Sequence, residues 1–157
     1  MDGIYIASPY ALQTDFIDIE RIEILRGPQG TLFGQNSTGG AINIISAKPN
    51  FEEFAGKVDL SLGTDNLRKV RGTVNVPIGD GLAMRTSFST VKQDGYTQNV
   101  YNGPNALIPS ETFVGKDMDN IDNLSMRTDW MWQASDTLSL RFLAQYFSGE
   151  SNGAGIK

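Results

Sequence analysis

The 157-residue sequence has no cysteine and no histidine. Disulfides are therefore excluded. So are thiol and imidazole metal ligands, most zinc sites, and every Ser-His or Cys-His nucleophile pair. A basic excess is missing too: 13 Lys and Arg stand against 18 Asp and Glu, a net charge of −5. That balance argues against nucleic acid as a partner. Long apolar runs are absent. The longest stretch without a polar side chain is Gly3 to Ala7, whereas a membrane helix needs ~20 mostly apolar residues. Met1-Asp2-Gly3 is not the basic start of a signal peptide. A membrane helix is thus excluded. A membrane β-barrel is not, because its alternating strands average to a soluble-looking hydropathy.

What is present is a globular composition, 39% hydrophobic and 20% charged, with 17 glycines. That is too apolar for disorder. Residues 1–50 and 51–157 read differently. In the first part, residues 21–26 and Ala41–Ser46 read as strands. Between them lie Gly27, Gly30, Gly34, Gly39 and Gly40, a spacing that suits backbone folded tightly on itself. The second part reads as strand and turn throughout. Five segments alternate with period two, around Val58–Leu62, Val70–Ile78, Leu82–Phe88, Leu124–Trp132 and Leu138–Tyr146. Turn residues separate them at Asp65-Asn66, Gly79-Asp80-Gly81 and Ala134–Thr137. A long polar link, Gly95 to Asn123, joins the third and fourth.

One face of these strands is apolar. The other carries Lys57, Asp59, Lys69, Arg71, Arg85, Arg127, Asp129 and Arg141. Alternation alone fits a soluble antiparallel β protein as well as a membrane barrel. Strand length favours the barrel, since four segments run to roughly 11 or 12 residues, near the ~9–11 of a membrane strand. So do Trp130, Trp132 and Tyr146 on the apolar face, placed like the aromatic girdles of barrels. Short and long links alternate as in such barrels, except that the first link is short.

Three chemical readings are weighed and set aside. Gly34 to Gly39 has the gap of a phosphate-binding loop, but Gly40 and Ala41 stand where Lys and Ser or Thr are required. Asp18, Glu20 and Glu23 could supply a carboxylate pair, yet they read as solvated charge at a strand edge. Asn36-Ser37-Thr38 and Asn123-Leu124-Ser125 match a glycosylation sequon and little else.

The run Asp18-Ile-Glu-Arg-Ile-Glu-Ile-Leu-Arg-Gly-Pro-Gln-Gly-Thr-Leu-Phe-Gly-Gln-Asn-Ser-Thr-Gly-Gly-Ala-Ile-Asn-Ile-Ile-Ser-Ala-Lys-Pro49 closely resembles the plug signature of TonB-dependent outer-membrane receptors. Asp2-Gly3-Ile4-Tyr5 resembles the strand that precedes it in that family. The resemblance covers residues 1–50 directly, and the strands after Pro49 are similar to the opening strands of the family's 22-stranded barrel.

The resemblance implies a mainly β fold: the C-terminal part of a mixed α/β plug over 1–50, then about five antiparallel strands of an incomplete transmembrane barrel over 51–157. It implies a fragment, since five strands cannot close and the family's TonB-binding box and terminal aromatic residue are not in this sequence. It implies active uptake of a scarce nutrient such as a ferric siderophore across the outer membrane, with TonB and outer-membrane lipid as partners, no nucleic acid, no cofactor and no enzymatic step. Ser8, Tyr10 and Gln13 match the family's ligand-facing plug loop, though Tyr10 is equally suited to packing within the plug. Arg26, Gly27, Pro28, Gly34, Gly39, Gly40 and Asn43 match its plug motif. Arg26 resembles one side of a plug–barrel charge lock, the alternative being a cap on a solvated turn. The rival to all of this is a soluble antiparallel β binding module without transport activity.

Overall fold

In the computed structural model, the described residues are 2–3, 16–28, 30, 39–98 and 117–153. Nine strands follow in chain order: β1 (Ile19–Arg26), β2 (Gly40–Ser46), β3 (Ala55–Leu62), β4 (Arg68–Ile78), β5 (Leu82–Gln93), β6 (Thr97–Gln98), β7 (Asp117–Met118), β8 (Ile121–Ser135) and β9 (Leu138–Glu150). β1 and β2 form a two-stranded sheet, β6 and β7 a short ribbon, and β3-β4-β5-β8-β9 a five-stranded sheet. All pairings are antiparallel. The fold is mainly β, as expected. The α part expected of a mixed α/β plug is represented among the described residues by Gly30 alone, which is helical.

The turns fall where their residues dictate. Asp65 and Asn66 take φ of 54° and 53°, the left-handed pair that closes the β3–β4 hairpin with the twist its strands need. Gly79 takes φ 67° at the β4–β5 turn. The β8–β9 connection is tighter than the sequence indicated. Ala134 and Ser135 belong to β8, with a register shift between Gln133 and Ser135, and only Asp136-Thr137 turn. The long link is also shorter than expected at both ends. Thr97-Gln98 pairs with Asp117-Met118, and β8 begins at Ile121. Residues past β9 tie down its exit: the Asn152 amide donates to Asn120 Oδ1 at 2.6 Å, and the Asp119 amide to the Gly153 carbonyl at 2.9 Å.

The five-stranded sheet has two different faces. Outward, registered rows run Ile78–Leu82–Trp132–Leu140, Val76–Met84–Trp130–Phe142 and Val58–Gly72–Phe88–Met126–Tyr146. Many of these side chains are exposed, among them Val58, Trp132, Phe142 and Tyr146. Two outward hydroxyls satisfy each other, Thr86 Oγ1 and Thr128 Oγ1 lying 3.0 Å apart. The apolar rows stop at a charged row on the long-link side, Arg68–Lys92–Asp122–Glu150. From Ile78 to Arg68 the strand advances ~33 Å. At the ~40° tilt of a membrane strand that projects to ~25 Å, the height of a barrel's lipid-facing band. A soluble module would leave this band in water.

Gly72 belongs to that outward face. A Cβ there would lie 2.3 Å from the Phe88 ring, so the glycine lets Phe88 lie flat across β4. The sheet is open at both sides, with β3 and β9 as its edges. Every residue of β3 is exposed.

Candidate functional site

The inner face of the sheet is polar and meets the β1–β2 unit. Along β5 and β8 its residues include Arg85, Ser87 and Ser89, and opposite them Asp129, Arg127 and Ser125. All but Arg85 are almost wholly buried. Buried polar groups of this kind require partners, and the plug segment supplies several.

Asp18 precedes β1 with φ 58°. Its carboxylate accepts from Arg85 Nε at 2.6 Å and Nη2 at 2.7 Å, a two-bond fork. Ser87 Oγ donates to the same carboxylate at 2.9 Å and itself accepts from Thr73 Oγ1 at 3.0 Å. In register Arg85 faces Asp129, yet it turns to Asp18. Asp129 is met instead by Arg141, whose Nε lies 2.9 Å from Oδ1.

Asp2 makes the second contact. Arg127 Nη2 donates to Asp2 Oδ2 at 2.8 Å, with the two side chains only 3% and 10% exposed. The Ser46 amide and hydroxyl, both at 2.9 Å, donate to the same carboxylate. Burial raises the Asp2 pKa. The Ser46 amide, Arg127 and the Ser46 hydroxyl outweigh it and hold the group below its ordinary value. The Asp2 amide also donates to the Ile44 carbonyl at 2.9 Å, so this segment edges β2 as well as the wall.

The joint between the two parts is held by Asn75 of β4, which is 1% exposed. Its Oδ1 accepts from the Asn50 amide at 2.8 Å. Its Nδ2 donates to the Asn50 carbonyl at 2.9 Å and the Glu53 carbonyl at 2.7 Å. Three neighbouring wall strands, β4, β5 and β8, thus each hold a separate point of residues 2–53. Removing one partner of a buried ion pair strands the other charge, at a cost of about 3–5 kcal/mol. The seam can therefore help fix the β1–β2 unit in place through its charges.

Asp18 corrects the sequence reading. It is not solvated edge charge but the acceptor of the Arg85 fork. Glu20 is exposed as expected. Glu23 is half-buried, with Arg21 Nε at 2.9 Å and Asn43 Nδ2 at 3.0 Å. Arg21, then Asn43, lower its pKa. Asn43 therefore acts within the β1–β2 sheet. Arg26 ends β1 opposite Gly40 and is exposed. Gly27 takes φ 83° beside it, with Pro28 following in an exposed position. Gly40 takes φ 142°, and a Cβ there would lie 2.5 Å from the Leu25 carbonyl oxygen, so no other residue fits this crossing. Gly39 is exposed with open space around it. Ser8, Tyr10, Gln13 and Gly34 lie outside the described residues. Asp2 and Asn75 were not singled out by sequence. Their signal is weak: one small polar residue in a strand-like start, another in an alternating strand.

Among the described residues no group of three or more acidic side chains could hold a metal ion. No helix is long and apolar enough to cross a membrane, which leaves crossing by strands untouched.

Residues 1–41 match the family model described as the TonB-dependent receptor plug domain. The chain is 30% identical over 117 residues to the pesticin receptor of Yersinia pestis, covering 73% of this chain and 17% of that receptor. It is 34% identical over 106 residues to the ferrioxamine B receptor of Salmonella typhimurium, covering 66% and 15%. It is 35% identical over 82 residues to the iron-regulated outer membrane virulence protein of Vibrio cholerae, covering 48% and 12%. The chain thus spans about a sixth or less of the length of these relatives. The plug match, these relatives and the lipid-height apolar band agree. Residues 1–41 are therefore sequence of the TonB-dependent receptor plug domain, and the relatives that the chain is similar to are receptors, not enzymes.

Proposed function

We propose that this chain forms the gate and the adjoining wall of a receptor that takes up a ferric siderophore or a similar bulky metal chelate. The observation that carries this is the polar seam. Residues matching a plug domain sit on the inner face of a sheet whose outer face suits lipid. The names of the relatives support the ligand class, since one is a ferrioxamine B receptor and another a metal-pseudopaline receptor. TonB is the partner that would supply the energy. Ser8, Tyr10 and Gln13 are the proposed ligand contacts, Tyr10 by stacking or hydrogen bonding. Arg26, Gly27 and Pro28 form the proposed second lock at the far end of β1, with carboxylates on further wall strands. Gly34, Gly39, Gly40 and Asn43 shape the plug around it.

The test is uptake of radio-iron by cells whose receptor carries this sequence. A panel of ferric hydroxamate, catecholate and mixed-donor chelates would be offered with TonB present and absent. Uptake of at least one chelate that vanishes without TonB is expected. No TonB-dependent uptake of any of them would overturn the proposal.

A further inference from the structure

We infer that Asp129 is a stand-in partner for Arg85: when the plug lets go, Arg85 turns from Asp18 to Asp129, so that release exchanges one ion pair for another instead of stranding a cation. This rests on the plug-gating reading above. The register of β5 and β8 sets Arg85 directly opposite Asp129 on the inner face. Side chains so placed start ~4.5–5.5 Å apart at Cβ, within the reach of an arginine. In the docked arrangement Arg85 does not take this neighbour. Its Nε and Nη2 both go to Asp18, at 2.6 Å and 2.7 Å. Asp129 is held by Arg141, which stands opposite Met131 and reaches it diagonally from β9.

Asp129 has acceptor capacity to spare. An ionised carboxylate offers about four lone-pair sites, and Arg141 brings two donors to it, Nε and Nη2. Its position is also central. Arg127 lies two residues earlier on the same face of β8, so three wall arginines surround this carboxylate. Two of the three are bonded to plug carboxylates, Arg85 to Asp18 and Arg127 to Asp2. Asp2 and Asp18 move with the plug, whereas Asp129 stays with the wall. Turning Arg85 about its own side-chain bonds needs no change in the sheet. Breaking the Asp18 fork without a substitute would leave a guanidinium unpaired in the seam, the costlier path. Asp129 is in this sense a positioning residue of the gate, acting through Arg85.

Asp129→Asn in the full receptor removes the stand-in and leaves the Asp18 fork in place. Uptake of the ferric chelate that the panel identifies would be measured in cells, per receptor in the outer membrane. The maximal rate should fall about tenfold or more while the half-saturating concentration stays within about twofold. Asp129→Glu should keep the rate within about threefold of the parent. A rate for Asp129→Asn within about twofold of the parent would overturn the inference. So would recovery of the rate on adding Arg141→Gln, since the defect would then come from a stranded Arg141. A second measurement needs neither uptake nor a change at Asp129. It is the crystal structure of the full receptor carrying Asp18→Gly, glycine being able to keep the φ of 58°. Arg85 should lie within hydrogen-bond distance of an Asp129 oxygen. An Arg85 that points away from Asp129 there would contradict the exchange. If the parent receptor shows no TonB-dependent uptake, the gating reading fails instead, and the place of Arg85 in that structure still decides whether the exchange exists.

Discussion

Asp2 shows at the residue scale how the seam responds to conditions. Its folded pKa is depressed below the ordinary 3.8, burial being outweighed by the Ser46 amide, Arg127 and the Ser46 hydroxyl. A depressed carboxylate contributes stability above its ordinary value and loses it as pH falls through the folded value. Docking of the plug should therefore be insensitive from about pH 5 to 8 and weaken only in stronger acid. Leak of a large antibiotic through receptor-bearing cells at pH 5 and 7 checks this, and a rise at pH 5 would count against it. Gly40 offers a second residue-scale expectation. Alanine there must hold φ 142° against the Leu25 carbonyl, a cost of at least ~1 kcal/mol. Limited proteolysis should cut the Gly40→Ala plug earlier than the parent, with the wall untouched. Sequence patterns reveal such a glycine only as part of a motif. They reveal still less of Asp2 and Asp18, because whether a carboxylate is solvated or paired depends on strands more than sixty residues away.

At the scale of elements, the strands were legible because alternation records which side faces oil. All five long segments appear, in sequence order and antiparallel. Their ends were not legible. Ala134 and Ser135 look like turn residues but extend β8, since a register shift lets the hairpin close on two residues. The ribbon Thr97–Gln98 with Asp117–Met118 was hidden inside a polar link because neither piece is long enough to alternate. The outward band yields a graded prediction. Met126 sits mid-band on that face, 46% exposed, whereas Trp132 lies toward the short-turn rim. Met126→Lys should cost about 2–4 kcal/mol in the membrane and Trp132→Lys about 0–1. Refolding of the receptor into bilayers under denaturant measures both. Equal costs would mean that the band is misplaced.

On the scale of the whole molecule, two surfaces divide the labour. One face of the five-stranded sheet is apolar and exposed, and the other meets the plug-like segment through charge. A polar seam orients by direction and distance, so it specifies how the plug sits as well as that it sits. The plug signature was legible in the long motif of residues 18–49, whereas the charges that dock the plug lie outside the position the motif highlights, Arg26. The most direct test of this account is a charge exchange across the seam, read as antibiotic leak through the assembled receptor. Asp18→Arg alone and Arg85→Asp alone should each raise leak, and the two together should bring it back toward the parent level. Leak that stays at the parent level in both single variants would contradict a plug held by these charges.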